Sequence, residues 1–290
     1  MAKGILLWPN AVDDQITPPT FSGGRWRADA PIEWVRDDGV QTGYLAFAAE
    51  FDTTEPTDTT FTIDHGQQVP AKAAVLLGNF GVDAEITLER SSVADFSTLV
   101  ASVTKPVYPV IYPLGTQPAY SPNFISGKPI RRIPKMPWAG VFDTVHLARY
   151  SRFSITDPTN PDGFVSVSRA FIAGGYEPFF NMNYGAALKP VNRTRLVETI
   201  AGARVADVRT MMRQWELTYE FIPQAELWAN LWELQAQLGV SMQAFFLFDP
   251  DDTANIHRHS YLCTLAEPSG VVLSNPGRGG GRLMLPEVIA

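Results

Sequence analysis

The densest set of groups able to bind or react is Asp249, Asp251, Asp252, His257 and His259. Two histidines two residues apart on a strand point to the same side, which is the beginning of a metal site. The run lacks the glycine and the distal glutamate of a calcium loop, and no further ligand stands at a defined spacing. A solvated turn beside an exposed strand face accounts for it, and no metal is expected. A glycosidase needs two carboxylates facing across a cleft. Asp143, Asp157, Asp162, Glu198, Glu216 and Glu220 are available, but no spacing singles out a pair. Cys263 lies among Tyr261, Leu262 and Leu265, the surroundings of a small buried residue rather than a nucleophile. Gly277, Gly279, Gly280 and Gly281, with Arg278 and Arg282, do not follow a strand and open a helix as a phosphate loop does; they read as a flexible turn. No catalytic residue, no cofactor and no enzymatic activity is expected.

The elements around these groups are clearest between Arg213 and Pro250. Trp215, Leu217, Tyr219 and Phe221 alternate with Gln214, Glu216, Thr218 and Glu220, which predicts a strand with one buried face. Pro223 and Glu226 suit a first helical turn. Leu227, Trp228, Leu231, Trp232, Leu234 and Leu238 fall on one stripe at helical spacing, so both tryptophans are expected in the core. Gly239 can take the C-terminal cap. Met242 to Phe248 is nearly all apolar and short, which suits a strand covered on both faces. The unit is strand, helix, strand.

The chain has 290 residues and a hydrophobic fraction of 45% against 18% charged, enough for a large packed core. A net charge of −7 and a pI near 5.1 argue against nucleic acid as a partner. A lone cysteine excludes an intrachain disulfide framework. The apolar run Ile5 to Trp8 is too short for a signal peptide, and no run approaches a membrane span. Synthesis in a reducing cytosol and no membrane insertion are expected.

Short apolar pieces separated by turns, among them Ile5–Trp8, Ile32–Val35, Ala73–Leu77 and Ala84–Arg90, predict a β module over 1–175. Within it, residues 105–140 carry eight prolines interleaved with Tyr108, Tyr112, Tyr120, Phe124 and Trp138. Proline does not serve a central strand, so a long ordered arm is expected. Its aromatics, with Arg131 and Arg132, suit a protein interface. Residues 176–212 form a connector containing Arg193, Arg195, Arg204 and Arg209, with Arg213 just beyond; these arginines suit a strand edge or pairing with carboxylates. Residues 176–290 then make a smaller α/β part. The fold class expected is mainly β, a jelly-roll-like β-sandwich followed by a strand-helix-strand assembly domain.

The run Trp215-Glu216-Leu217, the helix with Leu227, Leu231 and Leu234, and the strand ending Phe248-Asp249-Pro250 resemble minor tail proteins of long-tailed bacteriophages, including distal tail and baseplate components. The segment from Phe61 to Gly175 is similar to discoidin-type, galactose-binding-like β-sandwiches. The similarity lies in Leu76-Leu77-Gly78-Asn79-Phe80, Tyr150-Ser151-Arg152-Phe153, Asn160-Pro161-Asp162-Gly163-Phe164 and Ala173-Gly174. The resemblance implies a non-enzymatic structural virion protein of the tail tip, assembled in the host cytoplasm. Its partners would be copies of itself in a ring, the tail tube and other tail-tip proteins. The alternative it implies is a carbohydrate-binding module contacting host surface glycans, with Trp26 and Trp34 as exposed platforms. The proline-rich arm has no counterpart in the resemblance.

Overall fold

The computed structural model describes residues 3–36, 47–113, 116, 124–128, 136–198 and 204–288. The chain is mainly β, as expected. Strands β1 (Ile5–Leu7), β2 (Thr20–Ser22) and β3 (Ala49–Phe51) are short; Ile32–Val35, read as an extended piece, is a 3-10 turn. Then come β4 (Thr60–Gly78), β5 (Glu85–Ser91), β6 (Leu99–Pro106), β7 (Met136–Thr156) and β8 (Val165–Ala173). The rest contains β9 (Ala187–Val191), β10 (Arg195–Glu198), β11 (Arg204–Asp207) and β12 (Met212–Pro223), then helix α1 over 224–238. After α1 come β13 (Ala244–Leu247), helix α2 (Ile256–His259), β14 (Tyr261–Cys263), β15 (Val272–Asn275) and β16 (Arg278–Pro286).

The sandwich is built on β4 and β7, which pair antiparallel from Thr60↔Ser154 to Gly78↔Met136. The register slips between Asp64 and Val69 and again between Ala71 and Ala73, with Gly66 at φ +70°. Such bulges bend a ladder, and here they turn it around a core. Trp138 and Phe153, both on β7, meet edge to face at 6.2 Å, whereas a straight strand would hold them roughly 50 Å apart. One half of the ladder continues into β8 and β3, the other into β5 and β6, with β2 on β4. Phe51, Phe61 and Phe153 stack in sequence between the halves at 6.0 and 5.3 Å.

The corner interrupts the ladder, and buried Arg90 supplies donors to carbonyls beside the break: His146 O at 3.0 Å, Val69 O at 2.9 Å and Ala148 O at 3.0 Å. Burial pushes its guanidinium down to about 10. Buried His65 contacts Ser151 Oγ at 3.2 Å, and burial, then the Arg90 charge, push the imidazole down to about 4.

The continuous apolar runs follow from stacking of sheets. On β4, Ala74 and Leu76 face the sandwich core while Ala73, Val75 and Leu77 face the other way. That outer face is covered by the three-stranded sheet β1-β13-β14, through Ile5, Leu7, Phe245, Leu247 and Leu262. The opposite side of the same small sheet carries Leu6, Phe246, Tyr261 and Cys263 into a third core beneath α1. Each strand is buried on both faces, so it shows no alternation. Because β1 pairs with β13 (Ile5↔Leu247), it crosses the division expected at residue 175.

In the last layer β12 lies between β9 and β16. Trp215, Leu217 and Tyr219 are buried as the alternation predicts, but Phe221 is half-exposed and Ile222 is buried instead. A register slip between Tyr219 and Ile222 places Phe221 at φ +62° and reverses the alternation. Opposite this bulge lies the glycine tract. It is not a flexible turn: only Gly277, at φ +75°, serves the hairpin, while Gly279, Gly280 and Gly281 lie within β16. A Cβ on Gly280 would sit 2.0 Å from Tyr219 O, and one on Gly279 2.7 Å from Leu227 Cδ2. Glycine there lets α1 and β12 close on the strand.

Candidate interaction surfaces

The arm expected over 105–140 is shortened at both ends by strand, since Pro106 closes β6 and β7 begins at Met136. Tyr108 and Trp138, expected at an interface, are buried in the sandwich core; the Trp138 Nε1 donates to Lys105 O at 3.0 Å. They contribute packing rather than contact surface. Tyr112 and Phe124 are partly exposed. The backbone of Ile111 and Tyr112 donates to Gly127 O, Lys128 reaches Val82 O and Asp83, and Arg258 approaches the Tyr112 hydroxyl at 3.4 Å. These parts of the arm therefore lie on their own chain. Tyr120, Arg131 and Arg132 fall outside the described residues. Trp26 and Trp34, proposed as glycan platforms, are only partly exposed: Trp26 packs edge-on to Phe51 at 6.3 Å, and Trp34 lies against Phe47 at 5.0 Å.

His257 and His259 are not on a strand face. They occupy α2, where residues two apart diverge, and both are buried. Burial, then the charges of Arg258 and Arg213, push His257 down to about 4; burial also lowers His259, against the pull of Asp252. Arg213 holds this corner, donating to His257 O at 2.6 Å and Arg258 O at 2.9 Å while pairing with Glu287. Among the described residues no three His, Cys, Asp or Glu side chains are gathered for a metal ion. Cys263 is fully buried, and burial raises its thiol well above the ordinary value. Of the acidic residues, Asp157 is buried and accepts from Gly81 N and Asn160. Glu216 accepts from Lys189, and that hydrogen bond first, then the charges of Lys189 and Arg282, hold its carboxyl below the ordinary value.

Two features exposed to solvent were missed or misread in the sequence. The first is the connector. Within it β10 and β11 form a separate two-stranded hairpin that pairs with no other sheet among the described residues. All four residues of β10 are exposed, with Leu196 at 67% and Val197 at 49%, and Val208 and Met211 beside the hairpin are exposed too. Adjacent residues on a strand point to opposite faces, so both faces of the hairpin are apolar in part. Arg209 pairs with Asp207, and Arg204 approaches Glu198 at 3.9 Å. The second is the tryptophan pair on α1. Leu227, Leu231, Leu234 and Leu238 are buried, but Trp228 and Trp232 are 42% and 44% exposed and meet each other at 6.0 Å. Each follows a buried leucine by one position, a step of roughly a quarter turn that carries it off the stripe. Both lie in the six-residue π-helical segment Leu227–Trp232.

No family model matches the sequence, and no curated protein does. Among solved structures, the chain is similar to CpGH89CBM32-6 produced by Clostridium perfringens (10% identity, 58% of this chain and 99% of that one, TM-score 0.34). It is also similar to the family 32 CBM from C. perfringens NanJ in complex with galactose (12%, 58% and 98%, TM-score 0.35). A third is CBM32-1 from a family 31 glycoside hydrolase of C. perfringens (13%, 53% and 93%, TM-score 0.32).

Proposed function

We propose that the chain is a non-enzymatic structural protein that assembles through protein contacts, as a component of a bacteriophage tail tip. The observation that carries the assembly reading is the hairpin β10–β11. Two strands alone are marginal in water, and unpaired strand edges recruit further strands. This hairpin has both edges open among the described residues and apolar side chains on both faces. A neighbouring copy that receives it would complete its pairing and cover Leu196 and Val197. A contact in which the hairpin of one copy meets a different surface of the next is heterologous, the kind that closes rings. The exposed pair Trp228 and Trp232 adds a second surface of the composition interfaces favour. The tail-tip setting is supported by the resemblance of the Trp215–Pro250 region to minor tail proteins. The test is the solution mass of the chain and of Leu196→Asp/Val197→Asp, by light scattering. The parent is expected as a discrete oligomer and the variant as a folded monomer; equal masses would overturn the reading.

Contact with host surface glycans is the second reading. One observation favours it: a cleft of about 850 Å³ where the N-terminal segment, the sandwich corner and the end of α1 meet, a size typical of ligand sites.

A further inference from the structure

We infer that the hairpin β10–β11 of one copy is seated on a second copy in the corner between α1 and β15, an inference that rests on the assembly reading. The four-stranded sheet runs β15-β16-β12-β9. The hairpin leaves this sheet from β9, since β9 ends at Val191 and β10 begins at Arg195. α1 covers β16: a Cβ on Gly279 would meet Leu227 Cδ2 at 2.7 Å, and one on Gly281 would meet Leu231 Cδ2 at 3.0 Å. The hairpin and the helix therefore belong to opposite ends of one sheet. Each copy can give its hairpin to one neighbour and receive that of another.

The edges of the sheets differ in how they are guarded. Charges, prolines and short length protect an edge strand from further pairing. β9 carries Lys189 and Pro190, and β6 ends in Lys105 and Pro106. β3 has three residues and is bridged by Trp26 at Phe51. β15, Val272-Leu273-Ser274-Asn275, has neither a charge nor a proline. Among the described residues it pairs with β16 alone, and all four of its residues are exposed. It matches β10, another fully exposed strand of four residues with two adjacent apolar side chains.

α1 forms the second wall of the corner. Gln235 ties the helix to the loop before β15, accepting from Ser269 N at 2.9 Å and Gly270 N at 3.0 Å. The Cβ position on Gly279 that meets Leu227 also meets Leu273 Cδ2 at 3.3 Å, so Leu273 stands on the α1 side of the sheet. The half-exposed Trp228 and Trp232 each follow a leucine of that contact face. Leu196 and Val197 point to opposite faces of the hairpin, so one of them turns toward this wall whichever way the hairpin lies on β15. Charge agrees with the pairing. Residues 193–209 hold four arginines against Glu198 and Asp207, a net +2 in a chain of −7. α1 holds Glu226 and Glu233, residues 264–275 add Glu267, and neither segment has a lysine or an arginine, a net −3. The cations of β16 are engaged, Arg282 with Glu216 at 3.2 Å and Arg278 over the Phe180 ring at 5.3 Å. Opposite charge steers such a contact and fixes its register.

The test measures solution mass by light scattering for the full chain and three variants, with thermal melts beside them. Leu196→Asp/Val197→Asp breaks the hairpin. Val272→Asp/Leu273→Asp breaks the seat at β15, and Trp228→Arg/Trp232→Arg breaks it from α1; if the β15 variant does not fold, the α1 variant decides. Each is expected to melt cooperatively and to be a monomer at concentrations where the parent is an oligomer. A hairpin variant mixed with a seat variant retains one intact contact, so the mixture is expected to double in mass to a dimer at high micromolar concentration. A monomeric parent, or a hairpin variant with the parent's mass, would overturn the assembly reading and this inference with it. Folded seat variants with the parent's mass, beside a monomeric hairpin variant, would overturn the seat and leave the assembly reading standing. A mixture of the two monomeric variants that stays monomeric would do the same.

Discussion

Leu231 and Trp232 are neighbours in sequence and should respond to truncation in opposite measure. Leu231 is fully buried; a Cβ added to Gly281 would lie 3.0 Å from its Cδ2, so α1 has little room to settle into a void. Leu231→Ala is expected to cost about 2–5 kcal/mol, the transfer of the lost carbons plus the cavity they leave. Trp232 keeps 44% of its surface in solvent and its described ring contact is to Trp228 at 6.0 Å. Trp232→Ala removes an aromatic pair worth about 0.5–1.5 kcal/mol and some partial burial. With about 2–4 °C of melting temperature per kcal/mol, Leu231→Ala should melt roughly 5–15 °C below the parent, and Trp232→Ala within roughly 5 °C. Thermal melts by circular dichroism, with urea titrations beside them, measure both. A loss in Trp232→Ala equal to that in Leu231→Ala would refute the assignment of the tryptophans to the outer face.

Arg90→Leu should destabilise on the order of 3 kcal/mol in urea unfolding, because carbonyls at the sandwich corner lose a buried donor; an unchanged midpoint would refute this role. Acid should unfold the protein in a window set by the histidines. His65 and His257 are held near 4, below the usual 6.5, and His259 is lowered too, so the unfolded chain binds their protons first. Their contribution is complete above pH 6.5 and is lost on descending toward pH 4, by up to about 1.4 kcal/mol per histidine per pH unit; His65→Gln should flatten that slope. Cys263, buried and with a raised pKa, should resist thiol reagents in the native chain and react in denaturant; fast native labelling would contradict its place in the core.

Periodicity made β12, α1 and β13 legible, because each has a face or a stripe that water cannot reach. It failed where a local geometric change shifts the phase. The bulge after Tyr219 turned Phe221 outward, and Trp228 and Trp232 are one position off a stripe that the leucines already fill. The glycine tract read as flexible because sequence shows the missing side chains but not the helix that needs their space. The aromatics of the arm read as surface because proline argues against a central strand, yet Pro137, in β7, pairs with Leu77 of β4 and Trp138 closes the sandwich core beside it. The hairpin β10–β11 gave no periodic signal, since neither face is buried in a single chain. The cleft is assembled from residues as far apart as Trp8 and Gln243, and no local pattern joins them.

Assembly through the hairpin is tested most directly by native mass spectrometry of the purified chain beside a variant in which residues 194–209 are replaced by a short Gly-Ser turn. Arg213, β9 and β12 are untouched by that replacement, so the variant should melt with the parent. The parent is expected to give a closed oligomer of a single copy number across a concentration series, and the variant a monomer throughout. A parent that stays monomeric at every concentration, or a variant that forms the same oligomer, would contradict the account.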